Sequence, residues 1–276
     1  MSYCIDATES LGEGLRRIAL EQTTAAIADM SIPGPDPGDQ IHDFRRRCKK
    51  LRALFRLIQP LITEQFAQAD AEVRAASSKL GHARDKAVIG RTLQAVAADN
   101  VTAEGNILSS GVDGEVAGEC TEIMQAVRGR VDAWPLEDCS AAEIRKGFEE
   151  TYRNLQSELM RASAEPTNWQ YHEVRKWAKY HWYQLQLLLH VGPESFAERS
   201  EKLRRIGEEL GDAHDIAVLL DGETDHRELS EDTKRRLGDR NAALLQSAAL
   251  RLRDLTRADP QTLGRDLERR LANLSS

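Results

Sequence analysis

The sequence predicts an all-α protein, on the strength of its composition, its hydrophobic spacing and its turn residues. Leu, Ala, Glu and Arg dominate the 276 residues, whereas aromatic residues make up only 5%. This mixture favours helices and is poor in strand formers. Within residues 41–58, apolar side chains recur at the three- and four-residue spacing of an amphipathic helix. Clusters of Pro and Gly, such as residues 31–39, separate the helical segments.

The turn signals divide the chain into two halves, 1–135 and 136–276, of four helices each. Asp39 is a candidate N-cap for the second helix, and Pro60 should kink or end it. Residues 100–114 read as a loop. The predicted helices lie near 9–31, 39–65, 67–98 and 112–133 in the first half, and near 140–163, 168–191, 194–220 and 229–257 in the second, with a tail helix near 261–274.

Several protein classes do not fit the sequence. The four cysteines lie far apart, with no metal-ligand spacing, which argues against a disulfide scaffold or a structural zinc. No signal-peptide pattern opens the chain and no apolar run is long enough to span a membrane. We therefore expect a cytoplasmic protein that does not bind membranes. The cysteines are Cys4, Cys48, Cys120 and Cys139.

The chain also resembles itself. A single shift that places His42 on His172 superimposes two copies without a gap, and 14 of the 47 positions from 42 to 88 are identical. The same shift places Arg45 on Arg175. Agreement at this level without gaps exceeds what helical composition alone explains, so we predict an internal duplication. Two residues that this shift superimposes are called repeat-equivalent below.

A row of basic residues follows one face of the second predicted helix. Residues 42–56 hold seven Lys or Arg and one Asp, a formal +6 inside a chain of −7, so the remainder carries −13. One interpretation is a solvated face of an amphipathic helix. The row recurs at the repeat-equivalent positions, however, which favours a focused anion site. The first row is His42, Arg45, Lys49, Arg52 and Arg56, flanked by Arg46; the second is His172, Arg175 and Lys179, flanked by Lys176.

A second repeated motif follows each histidine at the same distance, as LGHARD from 80 to 85 and LGDAHD from 210 to 215. Glycine is costly inside a helix, so Gly81 and Gly211 should allow close packing of neighbouring helices. Asp85 and Asp215 can orient basic side chains, or simply form surface ion pairs. Arg84 and His214 are repeat-equivalent and add donors.

Together these motifs resemble the CHAD family, the conserved histidine α-helical domain. The resemblance rests on H-x-x-R-x-x-x-K-K-x-R from His42, on LG-x-x-RD, and on H-x-x-R-K-x-x-K with Tyr183. It implies two four-helix bundles related by a pseudo-twofold axis around a central basic groove or pore, which receives inorganic polyphosphate. Trp182 and Gln186 depart from the basic positions of the family, so the second half should contribute less charge.

The expected function is therefore polyphosphate binding, with recruitment to polyphosphate granules. The alternatives are a metal-dependent phosphate-chain enzyme or phosphotransfer protein, in which His42 and His172 act as phosphoacceptors or metal ligands, and a nucleic-acid binder. No P-loop or H-E-x-x-H occurs, and we assign no catalytic residue, metal ligand or cofactor. The predicted polyphosphate-binding residues are His42, Arg45, Arg46, Lys49, Arg52, Arg56, Arg74, Arg84, His172, Arg175, Lys176, Lys179, Tyr183, Arg204 and His214.

Overall fold

A computed structural model describes residues 3–32, 37–81, 112–221 and 229–272. Within these ranges every element of secondary structure is helical, and the all-α prediction is confirmed. The described helices are α1 Leu11–Ser31, α2 Pro37–Leu57, α3 Thr63–Lys79, α4 Gly114–Val131, a 3₁₀ turn Leu136–Asp138, α5 Ala141–Ala164, α6 Asn168–Leu187, α7 Ser195–Leu220, α8 Glu231–Leu255 and α9 Pro260–Ala272.

The helix boundaries follow local signals, with some corrections to the sequence prediction. Ser10 and Glu13 form a reciprocal capping box at α1. Pro60 lies in the turn between α2 and α3, so it ends the helix that we expected to continue to residue 65. Asp39 lies within the first turn of α2, so its predicted role as N-cap is wrong. At that position its negative charge still interacts favourably with the positive N-terminal end of the helix dipole. Most of the predicted 100–114 loop, the end of the third predicted helix and the LGHARD residues Arg84 and Asp85 lie outside the described residues.

The described helices pack as two rings of four. In the first ring α1 contacts α2, α2 contacts α3, α3 contacts α4, and α4 returns to α1. In the second ring the same order holds for α5, α6, α7 and α8, while α9 packs on α5. Helix α2 also contacts α5 and α6, so it joins the two rings. This arrangement places the two predicted basic helices side by side.

The apolar face of α2 explains its central position. All six of its predicted apolar residues are buried in a core that continues through both rings, and Phe55 packs edge-on against Trp134 at 5.1 Å. Where α2 meets α6, Ala53 packs with Tyr180 and Tyr183. The six predicted residues are Ile41, Phe44, Cys48, Leu51 and Phe55 of α2, and Ile58 directly after its end.

Repeat-equivalent positions occupy related places in the fold. Helices α1 and α5 begin at the repeat-equivalent positions 11 and 141, and α2 and α6 end at positions 57 and 187. Ser140 and Glu143 form a side-chain hydrogen bond at the start of α5, as Ser10 and Glu13 do at α1. The duplication and the division at residues 135 and 136 stay predictions. In the part of the chain that the structure describes, no helix is long and apolar enough to cross a membrane.

The close crossing of α2 and α5 depends on Gly147. A Cβ at this position would lie 2.1 Å from the backbone oxygen of Leu57. Because a backbone atom cannot rotate away, we expect Gly147→Ala to lower the free energy of unfolding by about 1–3 kcal/mol. Gly238→Ala in α8 is the matched control, since its Cβ meets no described atom within 4 Å. The control should be neutral or more stable by up to about 1 kcal/mol, measured by urea denaturation. Equal effects would contradict the steric argument.

Candidate functional site

A cavity of about 420 Å³ lies where α2, α3 and α6 meet, and we name it the α2–α6 groove. Both predicted basic rows contribute to its walls. Because cations from two helices converge on one concave surface, the groove is suited to an anionic ligand. Its basic residues are Arg45, Lys49, Arg52, Arg74, His172, Arg175, Lys176 and Lys179.

On the α2 side, the cations are held by the neighbouring helix α3. The Nη1 atom of Arg45 donates to the backbone oxygen of Ser77, which also lines the groove. A guanidinium has five donors, and this bond to α3 uses one of them while it orients the side chain. Lys49 lines the groove one helical turn further along α2.

On the α6 side, two glycines of α7 make room for the cations. A Cβ at Gly211 would lie 3.3 Å from Nη2 of Arg175, and a Cβ at Gly207 would lie 3.0 Å from Nζ of Lys179. Gly211 belongs to the repeated LG motif, but its close contact is with a side chain and not with the backbone of a neighbouring helix, and a Cβ at the repeat-equivalent Gly81 would meet no described atom within 4 Å. The close neighbour is a basic side chain of the groove, so the glycine serves the site directly.

Lys179 is only partly exposed, and its ammonium lies 4.4 Å from the ring centroid of Trp182. Burial lowers the pKa of Lys179 to about 8, with a further contribution from the positive charge of Arg175. The Glu208 carboxylate acts in the opposite direction. Lys179 therefore loses its charge just above neutral pH, and a nearby anion would favour its protonated form.

Arg52 and Arg56 share one carboxylate at the end of the first basic row. Both form two hydrogen bonds to Asp70 of α3, at 2.8 and 3.1 Å from Arg52 and at 2.5 and 3.1 Å from Arg56. Arg56 also lies 4.2 Å from the ring centroid of Tyr180. Burial alone would raise the pKa of Asp70, but the two guanidinium groups outweigh it and lower the pKa to about 2. The cluster carries a net charge of one rather than two, and only Arg52 lines the groove.

The corresponding cluster on α6 is neutral. Gln186 and Ser200 are repeat-equivalent to Arg56 and Asp70, and Gln186 Nε2 donates to Ser200 Oγ at 2.6 Å. Loss of the arginine in the second half therefore accompanies loss of its acidic partner. The departure at Gln186, noted from sequence, replaces an ion pair with a neutral hydrogen bond.

The remaining predicted residues lie beside the groove or away from it. Arg46 pairs with Asp43 at 3.0 Å, and Arg204 pairs with both Glu201 and Glu208. Tyr183 is buried, with its ring edge-on to Tyr3 at 5.9 Å, and burial raises its pKa to about 12. His42 is exposed on α2, while the His214 ring lies 4.9 Å from His172. Arg84 lies outside the described residues.

Sequence reasoning missed Asp70, Tyr180 and Glu173. Asp70 belongs to α3, and its contact with α2 depends on how the two helices cross. Glu173 lies on α6 and pairs with Lys176, three residues away, which the helical spacing alone could have indicated. Among the described residues, no group of three His, Cys, Asp or Glu side chains could hold a metal ion.

The fold and groove define a helical protein in which two rings of helices share a groove lined by basic side chains. The family model described as CHAD domain matches residues 17–221, so the chain belongs to the CHAD family. The crystal structure of the CHAD domain from the plant Ricinus communis is similar, with a TM-score of 0.56 and 22% sequence identity over 94% of each chain. At that identity the likeness shows the shared fold alone. No curated protein matches this chain.

The Asp70 cluster generates a stability prediction. Asp70→Asn leaves two largely buried guanidinium groups without their shared carboxylate, and we expect it to cost about 3 kcal/mol at pH 7. The Asp70 pKa is depressed in the folded state, so its contribution is present above pH 4 and is lost as pH falls towards 2. Urea denaturation of the wild type should therefore lose this increment over that window, whereas the variant should not.

Asp43→Asn is the control for the Asp70 variant, because it removes a carboxylate that is more exposed than Asp70 and also pairs with an arginine of α2. Its cost should stay below about 1 kcal/mol. Similar losses for the two variants, or an Asp70→Asn variant with the acid sensitivity of the wild type, would contradict the assigned role of Asp70.

Proposed function

We propose that this protein binds inorganic polyphosphate in the α2–α6 groove. The observation that carries the proposal is that Arg45 and Lys49 of one row and Arg175 and Lys179 of the other line the same cavity. A ligand in this cavity can contact both rows together. The family resemblance in the two basic motifs supports the same ligand.

The spacing of the cations favours a linear polyanion over a compact one. Arg45 and Lys49 are one helical turn apart, as are Arg175 and Lys179, so each row presents positive charge at intervals of about 5–6 Å. Every phosphate unit offers oxygens to such a row. Arginine can bind two oxygens at once, whereas lysine supplies a mobile point charge.

The acidic remainder of the chain restricts binding to the groove. With a net charge of −7, most of the surface repels a polyanion. Many exposed cations are already paired with carboxylates on their own helix, as Arg205 is with Glu201. A polyphosphate chain should therefore bind most favourably in the groove, where α2 and α6 bring their basic rows together.

We propose that the protein is a binding module and not an enzyme, and that polyphosphate binding recruits it to polyphosphate granules. The one carboxylate among the described lining residues is Glu173, and it pairs with Lys176. A phosphoryl-transfer site needs carboxylates available to hold a metal.

Incubation of the protein with polyphosphate and magnesium or manganese should release no phosphate. In cells, a fluorescent fusion should colocalise with stained granules.

The groove predicts that both rows contribute to one binding site. Arg45→Ala with Lys49→Ala, and Arg175→Ala with Lys179→Ala, should each weaken binding of long-chain polyphosphate about 10- to 100-fold, since each variant removes charge-assisted hydrogen bonds. The effects should be non-additive in the quadruple variant because all four residues share a ligand. Isothermal titration at several salt concentrations would measure these affinities. Binding should weaken more steeply with salt in the wild type than in the variants, which have fewer cations in the groove.

Arg235→Ala with Arg236→Ala is the matched control, because both residues are exposed on α8 and pair with Asp232. It removes the same formal charge outside the groove and should leave affinity nearly unchanged. Double-stranded DNA should compete poorly with polyphosphate. Additive losses with two polymers bound per protein, a flat salt response, or equal affinity for orthophosphate would contradict a shared linear site.

The lowered pKa of Lys179 predicts a pH dependence above neutrality. Lys179 is protonated below pH 8, and a bound phosphate favours that form, so affinity should fall as pH rises from 7 to 9. Lys179→Arg keeps the charge at every pH and should flatten the profile over this window. Lys176→Arg is the control and should keep the wild-type profile. If the affinity of the Lys179→Arg variant falls with pH as the wild type's does, the group that titrates is not Lys179.

A further inference from the structure

A second cavity, of about 550 Å³, lies between α7, the end of α8 and the start of α9, and we name it the α7–α9 pocket. None of its lining residues lines the α2–α6 groove. Its walls combine the apolar side chains of Ile206, Leu255 and Leu263 with basic side chains that include Arg199, Lys202 and Arg251. The carboxylates of Glu198 and Asp254 also line it, and they pair with Lys202 and Arg257. A concave site of this size with a few polar groups is typical of small-molecule binding.

Arg199 differs from the other cations of the pocket. Lys202 pairs with Glu198 at 2.6 Å, Arg205 with Glu201 at 2.9 Å, and Arg251 with Glu209 at 3.0 Å. Within the described part of the chain, Arg199 has no carboxylate partner. Its Nη2 atom is buried and makes no hydrogen bond. Arg199 as a whole is partly buried, and a positive charge that is partly shielded from water and lacks a counter-charge is costly, so a ligand that supplies one in the pocket gains free energy.

The groups around Arg199 orient it without neutralising it. Its Nε atom donates to Nε2 of His181 at 3.2 Å, and the guanidinium lies 4.8 Å from the ring centroid of Tyr152. Burial and the charge of Arg199 together hold the pKa of His181 well below its usual range, so this histidine is neutral. Burial also lowers the pKa of Arg199, but a guanidinium remains charged at neutral pH.

We propose that the α7–α9 pocket binds a small organic anion, with an oxyanion head directed to Arg199 and an apolar body against Ile206, Leu255 and Leu263. The head is a carboxylate or a phosphate monoester, since both match the hydrogen-bonding fork of a guanidinium. The apolar wall favours an organic anion over inorganic phosphate. This site is separate from the α2–α6 groove and does not depend on polyphosphate binding.

Benzoate and phenyl phosphate are suitable probes, since each joins an oxyanion to an apolar ring. In isothermal titration with the full chain, at least one should bind more tightly than inorganic phosphate, and benzyl alcohol should not bind. The bound probe should raise the melting temperature, because it stabilises the folded state only. If neither benzoate nor phenyl phosphate binds, Arg199 is a structural clamp between His181 and Tyr152, and the proposal fails.

Two variants test the assigned geometry. Arg199→Gln removes the charge and should weaken probe binding about tenfold or more. Ala258→Leu retains Arg199 and fills the pocket, because Ala258 lines it; it should also weaken binding at least tenfold. The backbone oxygen of Ala258, which accepts from Tyr152, is unaltered by this substitution. Arg235→Gln removes a charge of α8 outside the pocket and should bind the probes as the wild type does.

The result of Ala258→Leu decides the question if Arg199→Gln does not fold. Wild-type probe affinity in either folded pocket variant would overturn the proposal. So would displacement of the probes by long-chain polyphosphate together with their loss in the Arg45→Ala and Lys49→Ala variant, because that pattern would place them in the groove. Polyphosphate affinity should be unchanged in Ala258→Leu, which separates a failure of this proposal from a failure of the groove.

Discussion

The packing of α2 against α6 is the constraint on which the candidate site depends. It brings together two helices that each carry a basic row, which would repel each other in isolation. Their apolar faces supply the opposing free energy, through a core that includes Phe44, Phe55 and Leu185. Carboxylates reduce the remaining repulsion where it is greatest, with Asp70 between Arg52 and Arg56 and Glu173 beside Lys176. The groove is what this compromise leaves between the helices.

The basic side chains on the two sides of the groove are positioned by different contacts. On the α2 side, Arg52 and Arg56 are held by Asp70, and Arg45 by the backbone of Ser77. On the α6 side, the repeat-equivalent positions hold a neutral Gln186–Ser200 hydrogen bond, and the cations lie against glycines of α7. On the α6 wall, Lys179 combines partial burial with a charge that changes just above neutral pH.

Helical periodicity was sufficient to predict the all-α fold, most helix positions and the two basic rows, because spacing along one helix determines which residues share its face. It could not predict contacts between helices. Arg204 is repeat-equivalent to Arg74, yet its guanidinium forms salt bridges with Glu201 and Glu208. Tyr183 matched a family position but is buried beside Tyr3. Arg199 looked ordinary in sequence, because its uncompensated burial arises only when α7 packs against His181 of α6 and Tyr152 of α5.

Helix α7 shows how one amphipathic segment contributes to two cavities of different composition. At about 100° per residue, Arg199, Lys202 and Ile206 fall on one face, whereas Gly207 and Gly211 fall roughly 120° away. The first face lines the α7–α9 pocket, and the second supports Lys179 and Arg175 of the groove. The two faces have opposite requirements, since the pocket needs long side chains that reach inward and the groove needs their absence. A helix satisfies both because its period separates them, and the glycines cost helix propensity where packing with α6 repays it.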